Sequence, residues 1–481
     1  MESARLRGVD DEYDVVVIGS GLAGLTAANS LSKSGYRVLI LEQHYQLGGL
    51  ATWFKRKGGH QFDISLHGFP VGMIKSCRRY WSREIADSII QLKDIRFENP
   101  QFSLRTSYDR KDFETLLHAR FNVEPERVAS FFRKVGNQEF YANSGQTTAE
   151  LIEDFFPGRS DIKRLLLEPI AYANGSSEED PALTYSIVFS NFMKEGIYTF
   201  KGGTEQLIKA MVKILTDRGV KIARRVQVER IVTEHRGDRE EVKAVVAEGK
   251  AIRCRAVVSN SNLKGTILNL IGRDAFRDPG YVHRVEQVRL NNSSCQVYMG
   301  LGKGEQIPHV GDLLFVSGNE EFSSRELVSP GTRSRTFSFY YPENDAQSKD
   351  PRYRIVASSN AEWKDWQGLS DAEYQARKDA LIKETLEVLE RFIPGVGKKI
   401  TLLEAATPRT IHHYTQHIEG ASFGTKYEGL GVSQELPEQL AGAYHAGSVG
   451  IIMSGWLGTI NYGVIVADKV DRYLTTDPER A

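Results

Sequence analysis

The sequence predicts an α/β fold in which a parallel sheet with helices on its faces is interleaved with a second, α+β domain. The chain opens with the pattern of a βαβ unit: an apolar strand over 14–19, a helix over 22–34 and a strand over 37–42. More charged segments interrupt this pattern, and strand, turn and helix return at the C-terminal end. A chain of 481 residues can hold two intertwined domains of this kind.

The interruptions predict how the chain is divided. The first domain is expected to be assembled from three pieces, residues 12–74, 196–290 and 401–475. The second domain is expected to combine a helical part, residues 75–195, with a sheet and a helix in residues 291–400. The helical part would face the substrate and a membrane surface.

Further elements are predicted within the later pieces. A helix is expected over 205–217 with Thr204 as its N-cap, and a long helix over 371–392. Strands are predicted over 221–223, 226–232, 242–247 and 256–259.

Composition and charge exclude several classes of protein. The chain has 62 basic and 62 acidic residues, so it lacks the excess positive charge that nucleic-acid binding requires, and no nucleic-acid partner is expected. Its three cysteines lie far apart, which argues against a disulfide framework or a zinc ribbon. Residues 1–14 are too charged for a signal peptide. We therefore expect a cytoplasmic protein, with peripheral contact to a membrane left open.

One segment, residues 446–467, has no charged residue and is long enough to suggest a membrane span. Its five glycines argue against a continuous apolar helix. We expect instead a buried strand, a glycine-rich turn and a helix that begins near Thr459.

A glycine-rich turn follows the first predicted strand. In the sequence Gly19-Ser20-Gly21-Leu22-Ala23-Gly24, the first glycine permits a tight turn, and Gly21 lets the backbone approach a pyrophosphate. The third glycine allows close packing of helix and strand, and the helix begins with free N–H groups for the anion. Glu42, at the end of the next strand, can accept hydrogen bonds from ribose hydroxyls. The candidate pyrophosphate-binding residues are Gly19, Gly21, Leu22, Ala23 and Gly24.

A second glycine pair favours FAD over NAD as the dinucleotide. Gly48 and Gly49 follow Glu42 at a spacing that brings another loop against the ribityl and phosphate chain of FAD, and NAD has no ribityl chain. The glycine-rich segment 300–304 lacks the helix and the acidic residue of a second dinucleotide fingerprint. The candidate FAD-binding residues of this region are Glu42, Gln43, Gly48, Gly49, Leu50 and Ala51.

These motifs resemble those of the FAD-containing amine oxidase and phytoene desaturase superfamily, and later segments resemble it in the same order. Val228 matches the strand whose backbone contacts adenine, and 256–260, ending at Asn260, matches the strand that closes the FAD domain. The segments 443–448 and 458–461 match the C-terminal flavin motif, where Gly447-Ser448 stands in place of the usual Gly-Asp or Gly-Glu. The resemblance implies flavin contacts by Gly447, Ser448, Gly458, Thr459, Ile460 and Asn461.

Within the superfamily, three segments are similar to the bacterial-type phytoene desaturases, carotenoid isomerases and retinol saturases: 41–44, 59–68 and 406–410. This resemblance implies a Rossmann-like FAD-binding domain of the glutathione reductase-2 type interleaved with an α+β substrate domain. It also implies desaturation or saturation of carbon–carbon bonds in a long apolar substrate, such as an isoprenoid, a carotenoid or a fatty-acyl chain.

Three alternatives keep the same cofactor. One is a redox-neutral double-bond isomerase, another is an amine oxidase, and the third is an FAD-binding protein without turnover. The electron acceptor is left open among a quinone, oxygen and another protein.

The predicted helix near Thr459 would direct its positive N-terminal end toward the flavin pyrimidine ring. Backbone N–H groups of Gly458 and Ile460 would then face the cofactor, and Asn461 would either cap the helix or donate a hydrogen bond.

Histidines supply the candidate proton-transfer and metal-binding groups. His67 is the catalytic candidate, as a residue that moves a proton near neutral pH, with a hydrogen-bonded structural role as the alternative. His413 and His417 are four residues apart, but no carboxylate completes a metal site and none is expected. His413 and Tyr414 are instead expected to line a pocket.

The segment 71–90 interleaves apolar and aromatic residues with four basic ones. It predicts either a helix lying on anionic lipid or a helix that covers the substrate cavity with a solvated basic edge.

Overall fold

The computed structural model describes residues 4–137, 145–237, 239–344 and 352–476. The strands are β1 (Glu12–Ile18), β2 (Val38–Glu42), β3 (Trp53–Arg56), β4 (His60–Asp63), β5 (Phe69–Pro70), β6 (Ile89–Leu92), β7 (Ile95–Glu98), β8 (Ser103–Thr106), β9 (Ile197–Phe200), β10 (Lys221–Arg224), β11 (Val228–Arg236), β12 (Arg239–Ala247), β13 (Lys250–Ser259), β14 (Ser293–Leu301), β15 (Leu313–Ser317), β16 (Ser334–Tyr340), β17 (Arg354–Ala361), β18 (Ile400–Ala406) and β19 (Ala443–His445).

The helices lie between these strands or follow them, in several places two or more in succession. They are α1 (Leu22–Lys33), α2 (Gly72–Ser76), α3 (Arg83–Asp87), α4 (Arg110–Ala119), α5 (Pro125–Gly136), α6 (Thr148–Phe155), α7 (Ser160–Asn174), α8 (Ala182–Met193), α9 (Gly203–Asp217), α10 (Pro279–Gln287), α11 (Ser324–Leu327), α12 (Lys364–Gln367), α13 (Asp371–Glu390), α14 (Pro408–Thr415), α15 (Glu428–Gln439) and α16 (Gly455–Thr476). Two further helical segments, Cys77–Trp81 and Gly265–Gly272, have the wider π-type winding.

The first sheet has the strand order β10-β2-β1-β13-β12-β11, and β19 also pairs with β13. The strands β10, β2, β1, β13 and β19 run parallel, whereas β12 and β11 continue the sheet as antiparallel neighbours. The predicted βαβ unit is confirmed as β1, α1 and β2, with ends one or two residues from those expected. The carboxyl ends of β1, β2 and β13 therefore meet at one edge, where ligands of such sheets bind.

The second sheet has the order β18-β14-β17-β16-β15-β7-β8. Two of its strands, β7 and β8, come from the segment 75–195 that was expected to be helical. The strand β7 pairs with β15, which lies more than two hundred residues away, and β8 pairs with β7. The edge strand β18 also belongs to this sheet, so the predicted division at residue 400 separates β18 from the strands with which it pairs. A local sequence pattern does not predict pairing between strands that lie so far apart in the chain.

Helix α16 packs directly against α1 over the first sheet. The backbones come so close that a Cβ atom added at Gly463 would lie 2.4 Å from the carbonyl oxygen of Ala23. Both helices bury their apolar faces in one core with β1, β2 and β13. This close approach fixes the start of α1, and with it the loop that precedes α1.

Two helix starts differ from the predictions. Helix α9 begins at Gly203 after Gly202, so Thr204 lies in the first turn and is not the N-cap. Its N–H and hydroxyl both donate to Asp63 Oδ1, a partner that only the fold supplies. Helix α16 begins at Gly455, one turn before the predicted start at Thr459, since the glycine-rich turn is shorter than expected.

The segment 71–90 is not one helix. It is broken at Ser82, whose backbone is extended and whose hydroxyl caps α3. Its apolar residues Met73, Trp81 and Ile85 are buried in the core with α1 and α16. The hypothesis of an apolar face lying on lipid is therefore wrong for this segment, because that face is already covered by protein.

No helix within the described residues has the length and apolar character needed to cross a bilayer. The uncharged segment 446–467 instead leaves β19, turns over residues 449–452 and enters α16.

Candidate active site

A cavity of about 1090 Å³ lies between the edge of the first sheet and a face of the second sheet. We call its two ends the loop half and the sheet half. The loop half is lined by the loops that follow β1, β2 and β13, with Gly19, Glu42 and Asn260 among its residues. The sheet half is lined by the second sheet together with α7 and α8, with Ile170, Phe192, Phe315, Thr336 and Ser358 among its residues. The volume exceeds the ~300–1,000 Å³ typical of a site for one drug-sized ligand.

The glycine-rich turn after β1 is built for close contact. A Cβ atom at Gly21 would lie 2.4 Å from Asn260 Nδ2, and one at Gly24 would lie 2.3 Å from the carbonyl oxygen of Gly19. Gly19 itself has a φ of +88°, which favours glycine. Gly21 is the N-cap of α1 and no side chain caps the helix. The first N–H groups of α1 therefore remain available to an anion.

The second glycine pair packs on the first turn. The N–H of Gly48 donates to the carbonyl oxygen of Ser20 at 3.0 Å, and Gly48 pairs with Gly21 in an isolated parallel bridge. A Cβ atom at Gly49 would lie 3.1 Å from the Cα atom of Gly21. The two loops thus form a single surface of backbone with no side chain between them.

Glu42 is buried at the end of β2, with 7% of its surface exposed. Its Oε2 atom accepts hydrogen bonds from the N–H and the hydroxyl of Ser20, at 2.8 and 2.7 Å. Its Oε1 atom accepts from the N–H of His44 at 2.8 Å. Three donors therefore hold the carboxylate at the cavity wall, where it can also accept from ribose hydroxyls.

Two buried polar atoms of the loop half have no hydrogen-bond partner: His44 Nε2 and Thr52 Oγ1. Both residues line the cavity close to the second glycine pair. Buried polar groups are usually paired, so these two atoms indicate a polar ligand. Together with the glycine surface, the open start of α1 and Glu42, they fit the diphosphate and ribose parts of FAD.

Most of the predicted cofactor-binding residues line this one cavity. They are Gly19, Gly21, Leu22, Glu42, Gln43, Gly48, Gly49, Leu50, Ala51, Val228, Asn260, Ser448 and Thr459. Ala23 and Gly24 lie behind the turn in α1 and are fully buried.

The remaining predicted flavin contacts differ from expectation. The residues Gly447, Gly458, Ile460 and Asn461 do not line the cavity. Asn461 does not cap α16, because it lies in the second turn of that helix, and its Oδ1 atom accepts a hydrogen bond from Ser76 at 2.9 Å. Ile460 is fully buried and lies beyond the first turn of α16, whose open N–H groups belong to residues 455–458. Gly455 and Trp456 line the cavity in their place.

Sequence reasoning missed three residues here: Ser20, Gly455 and Trp456. Ser20 occupies the unconstrained position of the glycine fingerprint, so its hydrogen bond to Glu42 had no signal in the pattern. Gly455 and Trp456 were missed because the start of α16 was placed one turn too late.

His67 lines the sheet half, and both of its ring nitrogens are occupied. Nδ1 lies 2.9 Å from Ser338 Oγ and Nε2 lies 3.1 Å from Ser358 Oγ. Desolvation by burial lowers the pKa of His67 to about 4. The ring is therefore neutral near pH 7, and its two hydrogen bonds favour the structural alternative for this residue over proton transfer near neutral pH.

The three histidines near residue 412 do not form a metal site. His412 Nδ1 lies 2.7 Å from the carbonyl oxygen of His417, and His417 Nδ1 lies 2.9 Å from that of Ala421. Across the described residues, no group of three or more histidine, cysteine and acidic side chains could hold a metal ion. Tyr414 lines the cavity as expected and His413 does not.

The sheet half is largely apolar where α7, α8, β9 and β15 form its wall. The side chains of Ile170, Phe192, Ile197, Leu313 and Phe315 contribute to it and are nearly all buried. Such a surface binds an apolar chain by excluding water.

Comparison with known proteins agrees with this geometry. Residues 22–394 match the model of a protein family described as flavin containing amine oxidoreductase. The chain is similar to all-trans-retinol 13,14-reductase of Danio rerio, at 23% identity over 498 residues that cover 89% of this chain and 80% of the relative. It is also similar to a chloroplastic prolycopene isomerase of Arabidopsis thaliana, at 24% identity over 460 residues that cover 87% of this chain and 76% of the relative.

The fold is found in solved structures as well. An oxidoreductase from Methanosarcina mazei has a TM-score of 0.68 at 16% identity, over 95% of this chain and 99% of that one. The family model spans well over half of the described chain, and the predicted resemblance and FAD cofactor are confirmed. This chain belongs to the flavin containing amine oxidoreductase family and is an FAD-dependent oxidoreductase.

Proposed function

We propose that this protein changes the saturation of carbon–carbon bonds in a long apolar isoprenoid. The observation that carries the proposal is the single cavity, in which a surface suited to FAD adjoins an apolar space between α7, α8 and the second sheet. The similarity to a retinol reductase and a prolycopene isomerase supports an isoprenoid in that space. When bound there, FAD supplies hydride transfer to or from the substrate.

In this proposal the first part of the chain holds the cofactor. The open N–H groups of α1 bind the diphosphate, and the carboxylate of Glu42 accepts hydrogen bonds from the ribose. Val228 borders the adenine site. The start of α16, at Gly455, lines the cavity and carries a partial positive charge. This charge would stabilise a negative charge on the flavin by about 0.3–1 kcal/mol.

We propose that His67 is a positioning residue. Its neutral ring links Ser338 on β16 to Ser358 on β17 and so holds two strands of the cavity wall at a fixed separation. This role needs hydrogen bonds and no proton transfer.

An amine substrate fits this cavity less well. The described residues that form the apolar wall of the sheet half carry no charge, and an ammonium ion buried there would lack a partner. An isoprenoid chain incurs no such cost.

A second candidate function is double-bond isomerisation without net redox change. The similarity to a prolycopene isomerase favours it, and the same cavity would serve it. The two functions differ in their products, because desaturation or saturation changes the number of hydrogens whereas isomerisation does not.

The test incubates the purified holoprotein with a pure polyene isoprenoid, first with the flavin oxidised and then with it chemically reduced, in the absence of oxygen. Mass spectrometry of the product then separates the hypotheses. Loss or gain of two hydrogens supports the proposed oxidoreductase, and an unchanged mass with altered chromatographic retention supports the isomerase. A flavin-loaded protein that converts none of a panel of isoprenoids, fatty-acyl compounds and amines would contradict both and support a binding protein without turnover.

We further propose that reoxidation of the reduced protein identifies its electron acceptor. Stopped-flow absorbance at the flavin band compares reoxidation by dioxygen with reoxidation by a soluble quinone. The faster of the two at equal concentration is the better acceptor.

We propose that the mouth of the cavity at Tyr45 and Tyr414 contacts a membrane surface. Both line the cavity, yet 51% and 52% of their surfaces are exposed, which places them at its mouth. Tyrosine is favoured where protein meets the lipid headgroups, so this mouth suits contact with a membrane surface. Sedimentation with lipid vesicles tests it, and a Tyr45→Ser, Tyr414→Ser double variant that sediments as well as the parent would contradict it.

We also propose which parts of the chain bind FAD and which bind the substrate. Residues 12–74, 196–290 and 407–475 would hold FAD, and residues 75–195 and 291–406 would hold the substrate. Pairing of β18 with β14 supports the shift of the last boundary from 400 to 406.

A further inference from the structure

The face of the second sheet that borders the sheet half carries a group of uncharged polar side chains. Side chains of a strand alternate between its two faces. On the far face Val297, Phe337 and Ala357 pack into a core against α13. The near face therefore carries the residues between them. The uncharged polar residues among those that line the cavity include Ser294, Gln296, Thr336, Ser358 and Asn360.

Three of these residues form a row across neighbouring strands. Gln296 on β14 lies opposite Ser358 on β17, and Ser358 lies opposite Thr336 on β16. Neighbouring strands are about 4.8 Å apart, so the row spans roughly 10 Å of the cavity wall. A row of polar groups is unfavourable in a cavity that binds only hydrocarbon, because polar groups that face hydrocarbon lose their hydrogen bonds to water and gain none in return.

Among the hydroxyl groups of the sheet half that lack a hydrogen-bond partner are those of Thr336 and Tyr108. Thr336 is 5% exposed and Tyr108 is 1% exposed, and neither Thr336 Oγ1 nor the Tyr108 hydroxyl has a hydrogen-bond partner. Both residues line the cavity. Since buried hydroxyls are normally paired, each of these indicates a missing bond to a ligand.

The backbone at Tyr108 supports a functional role. Its φ of +59° lies in the left-handed region, which non-glycine residues rarely adopt. The N–H of Tyr108 donates to Thr106 Oγ1 at 2.8 Å, and its ring packs edge-on against Phe113, with centroids 5.1 Å apart. Strained backbone of this kind is concentrated at ligand sites.

The charged residues near the row restrict the chemical class of ligand that can bind there. The charged residue of this face nearest to the row is Glu404, on the edge strand β18 opposite Tyr298. It is paired with Arg56 at 2.9 Å, so its charge is already compensated. A carboxylate or an ammonium ion of a substrate would have no counter-ion at the row, whereas a neutral oxygen needs none.

We propose that the row and the two unpartnered hydroxyls form a binding site for a neutral oxygen function, a hydroxyl or a carbonyl, carried by the substrate. Thr336 and Tyr108 supply hydrogen bonds to that oxygen. The substrate class is then an oxygenated, uncharged isoprenoid and not a hydrocarbon, an acid or an amine. This inference rests on the proposed function, since it presumes an isoprenoid in the sheet half.

The experiment compares four probes of equal length on the FAD-loaded protein: geranylgeraniol, the hydrocarbon in which a methyl group replaces its CH₂OH group, geranylgeranoic acid and geranylgeranylamine. Dissociation constants come from titration of the flavin absorption spectrum, which does not require turnover. The variants are Thr336→Val and Tyr108→Phe, singly and together, because each removes a hydroxyl and little else. Tyr185→Phe and Thr385→Val are the controls, since both hydroxyls are buried away from the cavity and bonded to backbone carbonyl groups.

We expect the parent to bind the alcohol about 10- to 100-fold more tightly than the hydrocarbon, the acid or the amine. The double variant should lose most of this preference while its affinity for the hydrocarbon stays the same or improves. The controls should keep the preference.

Two results would overturn the inference while leaving the proposed function intact: equal binding of alcohol and hydrocarbon by the parent, or an undiminished preference in the double variant. Tighter binding of the acid or the amine would overturn it as well. If none of the four probes binds, the proposed function fails and the inference fails with it. Flavin content and circular dichroism of each variant separate these results from misfolding.

Discussion

The carboxylate of Glu42 accepts hydrogen bonds from both the N–H and the hydroxyl of Ser20, at 2.8 and 2.7 Å. The two residues follow neighbouring parallel strands, β2 and β1, at the edge where the cavity opens. The acid that is suited to the ribose thus also holds the turn that is suited to the diphosphate. Binding of the two parts of the cofactor should therefore be coupled through this one side chain.

Replacing Glu42 with glutamine should weaken FAD binding by about 10- to 100-fold. The substitution removes the charge from the hydrogen bonds to Ser20 and His44, and charge-assisted bonds are worth about 1.5–3 kcal/mol each. The dissociation constant of FAD, measured by fluorescence titration of the apoprotein, checks this. Glu12→Gln is the matched control, because Glu12 is an exposed carboxylate whose ion pair with Arg253, at 2.8 Å, lies on the surface. An unchanged constant in Glu42→Gln would contradict the coupling.

Replacing Gly21 with valine should abolish FAD retention while the second sheet stays folded. The new Cβ would lie 2.4 Å from Asn260 Nδ2 and would occupy the surface that approaches the diphosphate. The flavin-to-protein absorbance ratio of the purified variant should fall about tenfold or more.

The control for this variant is Gly431→Val, because Gly431 is exposed on α15 and a Cβ there meets nothing within 4 Å. A Gly21→Val protein with a normal flavin ratio would show that the diphosphate does not bind at this turn.

Replacing Gly463 with alanine should destabilise the protein by about 1–3 kcal/mol, the usual cost of overpacking. Its Cβ would lie 2.4 Å from the backbone carbonyl of Ala23, which cannot move without displacing α1. Denaturant unfolding measures the change, with Gly431→Ala as the control for alanine in an exposed helix position. Because α1 carries the cofactor turn, flavin should also dissociate at lower denaturant. Stability equal to the control would mean that α1 and α16 are not in contact at this point.

The stability of the protein should rise with pH between about 4 and 6.5, in part because of His67. Burial lowers its pKa from 6.5 to about 4 in the folded state, so the unfolded chain binds more protons across this interval. The stabilisation is complete above pH 6.5 and is lost as pH falls toward 4. His445 has the same direction and cause, with a pKa also near 4, and adds to the slope.

The measurement is the free energy of unfolding at a series of pH values for the parent, His67→Gln and His283→Gln. His67→Gln should show a shallower slope, and His283→Gln, at an exposed position, should match the parent. Identical slopes in the parent and in His67→Gln would show that the His67 ring is not buried as described.

Much of the loop half could be predicted from the sequence because its signals are local. The turn from Gly19 to Gly24, the acid Glu42 and the pair Gly48-Gly49 lie within one βαβ unit and its exit, where strand and helix periods are strong. Ser20 shows the limit of this reasoning. Its position in the fingerprint accepts many residues, and its role depends on the side chain that the next strand brings to it.

The sheet half was much harder to predict. His67 is held by Ser338 and Ser358, which are 271 and 291 residues away along the chain.

Segment 71–90 has the composition of a surface helix, but Ser82 breaks it and α1 and α16 cover its apolar side. The sequence of a segment does not show which distant part of the chain will pack against it.

By itself the sequence determined the α/β class, the flavin cofactor and the glycine-rich turn that is suited to a diphosphate, because each depends on residues close together in the chain and on backbone geometry that glycine alone permits. Only the tertiary structure decided that Thr336 and Tyr108 share one cavity, that His67 is neutral and that α16 begins at Gly455. These properties arise from burial and from strand pairing between distant segments, which are created only when the whole chain has folded.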